Sequence, residues 1–185
     1  MFDVDAFVAD CRVALADTDR VGALRSELAR VGSDPGAVAA VMGEPQRGGL
    51  TVLHRAPDLT VMQVVWTPGM TIGAHDHRML AGIVVFAGHE DNAFFRRRGD
   101  RVEEASGRRL EEGDAYVMGD DIIHSVHGHD DRYTGALHVY AGDFFDRERS
   151  MWFDDGAPDP DPPEVVDIFE QAERNWRERT GTAPA

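Results

Sequence analysis

The sequence predicts a mainly β protein, a sandwich or barrel held between helical ends. Three observations carry this. From Gly49 to Gly142, short β-rich runs alternate with Gly, Asp and Pro punctuation. Before that stretch, apolar residues recur at helical spacing; after it, the strand pattern stops.

The N-terminal helices come first. Val4, Phe7, Val8, Cys11 and Leu15, then Val21, Leu24, Leu28 and Val31, repeat at a period near 3.6. Asp17, Thr18 and Asp19 separate the two stretches and supply a cap for the second. A third short helix starts near Ser33, Asp34 and Pro35, with proline in its first turn, and runs to Met42. Cys11 lies on the apolar stripe and reads as core filler, because a free cysteine packs as a small hydrophobe.

Strands are expected at Thr51–Arg55, Leu59–Thr67, Leu80–Phe86, Asp91–Arg98, Arg101–Ala105, Ala115–Val117, Ile122–Val126 and Thr134–Ala141, with a further short one beside His75–His77. Asp154–Pro163 is rich in Asp and Pro and reads as a loop or strap. Glu164–Arg179 reads as a terminal helix with Val165, Ile168, Phe169 and Trp176 on its apolar side. Residues 180–185 are expected to fray. The chain divides into a helical segment at 1–48, a β unit at 49–145, and a strap and helix at 146–185, within a single domain.

Composition narrows the function. The 185 residues carry 19 basic and 34 acidic side chains, a formal charge of −15. So acidic a surface repels phosphate backbones and anionic lipid, which argues against nucleic-acid and membrane partners. One cysteine excludes an intrachain disulfide. The N-terminus lacks the basic region of a signal peptide, and no apolar run approaches the ~20 residues that span a bilayer. The expectation is a cytoplasmic protein, monomer or homodimer.

Histidines carry the chemistry. His75 and His77 are one residue apart, so on a strand both point to one face. His124 closes a run from Gly113 through Gly119, a turn, a strand and a second turn. Three imidazoles of this kind would hold a metal and leave coordination positions open, the layout of a catalytic site. No carboxylate follows His77 at short range, since Ala81 and Gly82 stand there. Glu90 is farther on, beyond the turn residue Gly88, and reads as solvated. Three neutral ligands leave the ion's full charge to attract an anionic ligand. Near the end of the β unit, His138 and Tyr140 again alternate onto one face, as a hydrogen-bonding pair or as buried aromatic filler.

The Gly, His-x-His and later Gly-to-His pattern resembles the two motifs of a cupin site. Trp66, nine residues before His75, then His75-Asp76-His77, His124 and Leu137-His138-Val139-Tyr140, resembles the cysteine dioxygenase family, the thiol dioxygenases of that superfamily. The resemblance covers roughly Thr51 to Phe145. It implies a double-stranded β-helix, or jelly-roll barrel, in which His75, His77 and His124 hold Fe(II). It implies a small thiol substrate, of the cysteine or 3-mercaptopropionate type, oxidised by O2 to a sulfinate. Tyr140 matches the active-site tyrosine and His138 the residue that orients it. The family's relay serine falls on Ala136. The animal enzymes' crosslinking cysteine falls on Gly82, so an uncrosslinked Tyr140 is expected.

The family also pairs the substrate carboxylate with an arginine, whose planar fork fits two oxygens. Arg55 is the candidate, beside Trp66 as the other substrate-binding residue; Arg78 is its rival, although alternation aims it away from the metal. Arg96, Arg97 and Arg98 read as a solvated edge, and His127 and His129 as loop residues. Met62 and Met79 are candidates for the pocket wall. Two other readings remain open at this stage. Three histidines also hold hydrolytic Zn(II), and a cupin can bind a ligand without catalysis.

Overall fold

The computed structural model describes residues 1–181. Three helices open the chain: α1 (Val4–Leu15), α2 (Arg20–Gly32) and α3 (Pro35–Met42). Each begins on an aspartate that accepts a backbone N–H of the first turn, Asp3 from Ala6, Asp19 from Gly22 and Asp34 from Ala37. Nine strands follow: β1 (Gly49–Ala56), β2 (Leu59–Trp66), β3 (Thr71–Asp76), β4 (Ala81–Ala87), β5 (His89–Arg98), β6 (Arg101–Glu111), β7 (Ala115–Met118), β8 (Ile123–Gly128) and β9 (Thr134–Tyr140). Helix α4 (Val165–Thr180) ends the described chain, so the fraying expected of residues 180–185 falls mostly outside it.

One sheet has the order β1-β2-β9-β4-β7 and the other β3-β8-β5-β6. Apart from the β5–β6 hairpin, each strand from β3 to β9 switches sheet from the one before it, and neighbours pair antiparallel. That interleaving is the expected double-stranded β-helix. Strand β6 runs past the expected Ala105 to Glu111, because its exposed edge carries no apolar alternation for sequence reading to detect.

The five-stranded sheet is buried on both faces. Outward, Leu59, Val61, Val84, Phe86, Leu137 and Val139 meet Phe7, Cys11, Leu24 and Leu28 of the helices. A side chain at Gly82 would meet Leu28 at 2.5 Å, so only glycine lets α2 lie this close. Position 82 therefore faces the helices, not the barrel interior, and cannot present a crosslinking thiol to Tyr140. Inward, Met62, Val64, Trp66, Ile83, Ala136 and Tyr140 form the second core.

After β9 the chain straps across the free edge of β3. Asp76 N–H donates to Ser150 O at 3.1 Å, and Trp152 N–H donates to Ala74 O at 2.9 Å. Asp76, buried in the opposite direction from its histidine neighbours, accepts Ser150 N–H at 2.7 Å and Arg97 at 3.0 Å. Arg97 also lies over the Trp152 ring. The basic run is thus exposed as expected at Arg96 and Arg98, while Arg97 is tied to the strap. No helix among the described residues is long and apolar enough to cross a membrane.

Candidate metal centre

The barrel's open end holds a cavity of about 310 Å³, and His75, His77, His124, His138, Tyr140 and Trp66 all line it. His75 lies on β3 directly opposite His124 on β8 in the antiparallel register. His77 follows one residue past the end of β3. The three imidazoles form the one group of possible metal ligands found among the described residues, with ligand atoms within 4.8 Å of one another. No carboxylate joins them.

Local hydrogen bonds decide which nitrogen each ring offers. The Nδ1–H of His75 donates to Gly73 O at 2.9 Å, and the Nδ1–H of His124 donates to Asn92 Oδ1 at 2.9 Å. Their Nε2 lone pairs are left free. His77 Nε2 stands 3.0 Å from His124 Nε2. Two donors each about 2.1 Å from one ion can be at most about 4.2 Å apart, so this pair is within reach of a shared cation. His77 Nδ1 is buried without a partner.

All three rings are held neutral. Burial, helped by the charge of Arg149, brings His75 down to about 4 against the opposing pull of the Gly73 backbone bond and Asp76. Burial and mutual repulsion put His77 and His124 well below their ordinary value. Protons therefore compete weakly with a metal near pH 7. The three imidazoles could bind a divalent cation once the widest separation, up to 4.8 Å, closes by a few tenths of an ångström.

His138 and Tyr140 share a hydrogen bond of 3.0 Å between Nδ1 and the phenol oxygen. Burial pushes the Tyr140 phenol up, so it keeps its proton, and brings His138 down to about 3. The Nε2 of His138 is buried without a partner. Ala136, two residues earlier on the same face, has no hydroxyl to give it one.

The arginines fall differently from expectation. Arg55 does not line the cavity; its Nε pairs with Asp143 at 2.9 Å and its guanidinium covers Phe145. Arg78 is also outside, bonded to Ser150 Oγ at 2.7 Å with a φ of 51°. Two arginines of the strap line the cavity, the exposed Arg147 and the half-buried Arg149, and Arg149 stacks 4.1 Å over the Phe144 ring. It is close enough to His75 and His77 to depress their protonation. Met62 lines the cavity and Met79 does not. His127 bonds Thr71 and Asp130, and His129 accepts the Asp131 N–H, so both are engaged locally.

Glu90 also departs from expectation. It is wholly buried, 0% exposed, because Glu90, Asn92 and Phe94 alternate onto the inner face of β5. Its Oε1 accepts from Asn92 Nδ2 at 3.0 Å.

No protein-family model matches the chain, and no curated protein matches it. Several solved structures resemble part of it. An uncharacterized conserved protein with a double-stranded β-helix domain from Klebsiella pneumoniae is 16% identical, over 61% of this chain and 87% of that one, with a TM-score of 0.46. BH2720 from Bacillus halodurans is 17% identical, over 60% and 77%, with a TM-score of 0.47. Oxalate decarboxylase from Bacillus subtilis is 16% identical, over 57% of this chain and 28% of that one, with a TM-score of 0.44. At TM-scores below 0.5, the fold rests on this chain's own strand order, and the function on its own site.

Proposed function

We propose that this chain is an Fe(II)-dependent thiol dioxygenase acting on a small thiol acid, of the cysteine or 3-mercaptopropionate type. One observation carries the reading: three neutral imidazoles with no carboxylate among the ligands share a cavity with the half-buried Arg149, while the acidic residues that line it, Asp146, Glu148 and Glu164, are exposed. Such a site is cationic once metallated, and it suits a substrate with two anionic groups, a thiolate and a carboxylate.

His75, His77 and His124 would hold the ion. Fe(II) at this place supplies the redox chemistry that brings O2 into reaction with a thiolate sulfur. Arg149 is the residue for the carboxylate, since its fork matches two oxygens and stacking on Phe144 orients it. This role replaces the one first assigned to Arg55. Tyr140 retains its proton and serves as an O–H donor to a group bound beside His77, whose ring lies 5.1 Å away. His138 orients that phenol. Trp66, Met62, Val64, Ile72 and Val126 form an apolar wall that keeps water from the reacting atoms.

The test is O2 uptake by iron-loaded protein given a panel of small thiols, with and without a carboxylate. Uptake with thiol acids, and sulfinate as product, is the expected result. Absence of thiol-dependent uptake across the panel removes the reading. Anaerobic turnover by a zinc form would move the protein to a hydrolytic class.

A further inference from the structure

We propose that Glu90 is a positioning residue for the metal centre, acting through Asn92 on His124, and that its charge strengthens metal binding at the three histidines. The inference rests on the metal-site reading above.

The geometry is a continuous chain. Glu90 Oε1 accepts the Asn92 amide N–H at 3.0 Å. Asn92 Oδ1 accepts the Nδ1–H of His124 at 2.9 Å. His124 Nε2 then faces His77 Nε2 at 3.0 Å. Asn92 can serve His124 in this way only with its amide turned so that Nδ2 points at Glu90. An acceptor at position 90 therefore fixes the amide, the amide fixes the tautomer, and the tautomer leaves Nε2 free for a metal. Negative charge at the far end polarises the same chain and makes His124 a better donor.

A carboxyl here serves no other evident purpose. It is completely buried on the inner face of β5, and no ion pair reaches it among the described residues. Its register partners on β6 and β8 are Leu110 and Gly128, which carry no charge. From β2, the Trp66 indole N–H lies near enough to favour the carboxylate, yet neither it nor Glu90 Oε2 completes a hydrogen bond. Asp91 on the same strand opposes the charge, and the Tyr140 phenol of β9 is within its field. Burial outweighs the help from Asn92 and Trp66 and pushes the Glu90 carboxyl up to about 7. A site of purely structural use would be filled more stably by leucine or glutamine. Glu90 instead changes charge near neutral pH, so its effect on the metal is expected to follow pH.

The experiment is Co(II) titration followed by visible absorption, on wild type, Glu90→Gln and Glu90→Leu, at pH 6 and pH 8. Glutamine keeps an acceptor for Asn92 and removes the charge; leucine removes both. At pH 8, Glu90→Gln is expected to bind Co(II) about tenfold more weakly than wild type, and Glu90→Leu about 100-fold, the range seen when partners of metal ligands are lost. At pH 6 wild type and Glu90→Gln are expected to converge. The wild-type comparison between the two pH values needs no variant, so a misfolded variant does not spare the proposal. Equal Co(II) affinity and spectra for wild type and Glu90→Gln at pH 8 would overturn it. A wild-type protein that binds no Co(II) would overturn the metal-site reading as well, which separates the two failures.

Discussion

His77 and His124 bring their Nε2 atoms to 3.0 Å of one another across 47 residues of chain. At that distance one ring's N–H can meet the other's lone pair, and with both lone pairs free the two nitrogens can share a cation. Metal binding to the folded chain alone stabilises it by about 2.7 kcal/mol at a hundredfold excess over Kd. For a domain of this size that is a rise in Tm of about 5–10 °C. We expect this rise with Fe(II) under anaerobic conditions, and expect His124→Ala to abolish it. A thermal scan in which the variant keeps the full rise would remove His124 from the ligand set.

Arg149 and Arg55 give a second, opposed pair of expectations. A hydrogen-bonded pair with a charged partner contributes about 1.5–3 kcal/mol, so Arg149→Gln should raise KM for a thiol acid about 10- to 100-fold. The same change should leave the KM for a thiol lacking the carboxylate near its starting value. Arg55→Gln breaks only a half-exposed pair with Asp143, and its effect on KM should be slight. Steady-state kinetics with both substrates decides the matter. A larger KM effect from Arg55 than from Arg149 would restore the assignment read from the sequence.

The placement of Arg55 outside the cavity has a physical origin. Strand β1 carries a register shift between Val52 and His54, and one extra residue turns every later side chain to the other face. No sequence signal marks it, so the direction of Arg55 was not legible. Arg149 lies on a strap without periodicity, held by a bond between Asp76 and Ser150 that spans 74 residues. Glu90 was legible in principle, since Glu90, Asn92 and Phe94 alternate; the turn at Gly88 masked it. The helix cap at Asp19 and the closeness of His75 to His77 were readable because each depends on local geometry alone, whereas His124 joins them through the pairing of β8 with β3.

Ala136 precedes His138 by two residues on the same face of β9, and the family resemblance puts a relay serine at that position. In the present arrangement His138 Nε2 has no partner, so nothing fixes which nitrogen carries the proton. A serine O–H donating to Nε2 would place the proton on Nδ1, which would then donate to the phenol oxygen and free the Tyr140 O–H for a ligand. Ala136→Ser is expected to raise kcat for thiol oxidation while changing stability by less than about 1 kcal/mol. Tyr140→Phe should cancel the gain and lower kcat about 100-fold. Should the serine instead destabilise the protein by about 1–3 kcal/mol, its hydroxyl has found no partner and the pairing is wrong.

Acid should unfold the metal-free protein, and the sign follows from the buried histidines. His75 and His138 are brought down to about 4 and about 3, and His77 and His124 well below their ordinary value, chiefly by burial. Between pH 6.5 and 4 the unfolded chain binds protons at these rings and the folded chain does not, so stability falls as pH falls. At about 1.4 kcal/mol per unit, His75 alone withdraws about 3 kcal/mol over that window. Glu90 acts in the opposite sense. Its carboxyl is raised to about 7, so the folded chain holds a proton that the unfolded chain has lost above pH 4.5, and this contribution disappears as pH rises through 7. One carboxyl against four histidines leaves a steep net loss on acidification. We expect the apo Tm to drop sharply below pH 6. Glu90→Gln should match wild type at pH 5 and exceed it at pH 8, by about 3 kcal/mol if the whole shift is realised. Thermal melts of the chelated protein from pH 5 to 8 provide the check. A level apo Tm across that range would mean that the four rings are not held neutral by the fold.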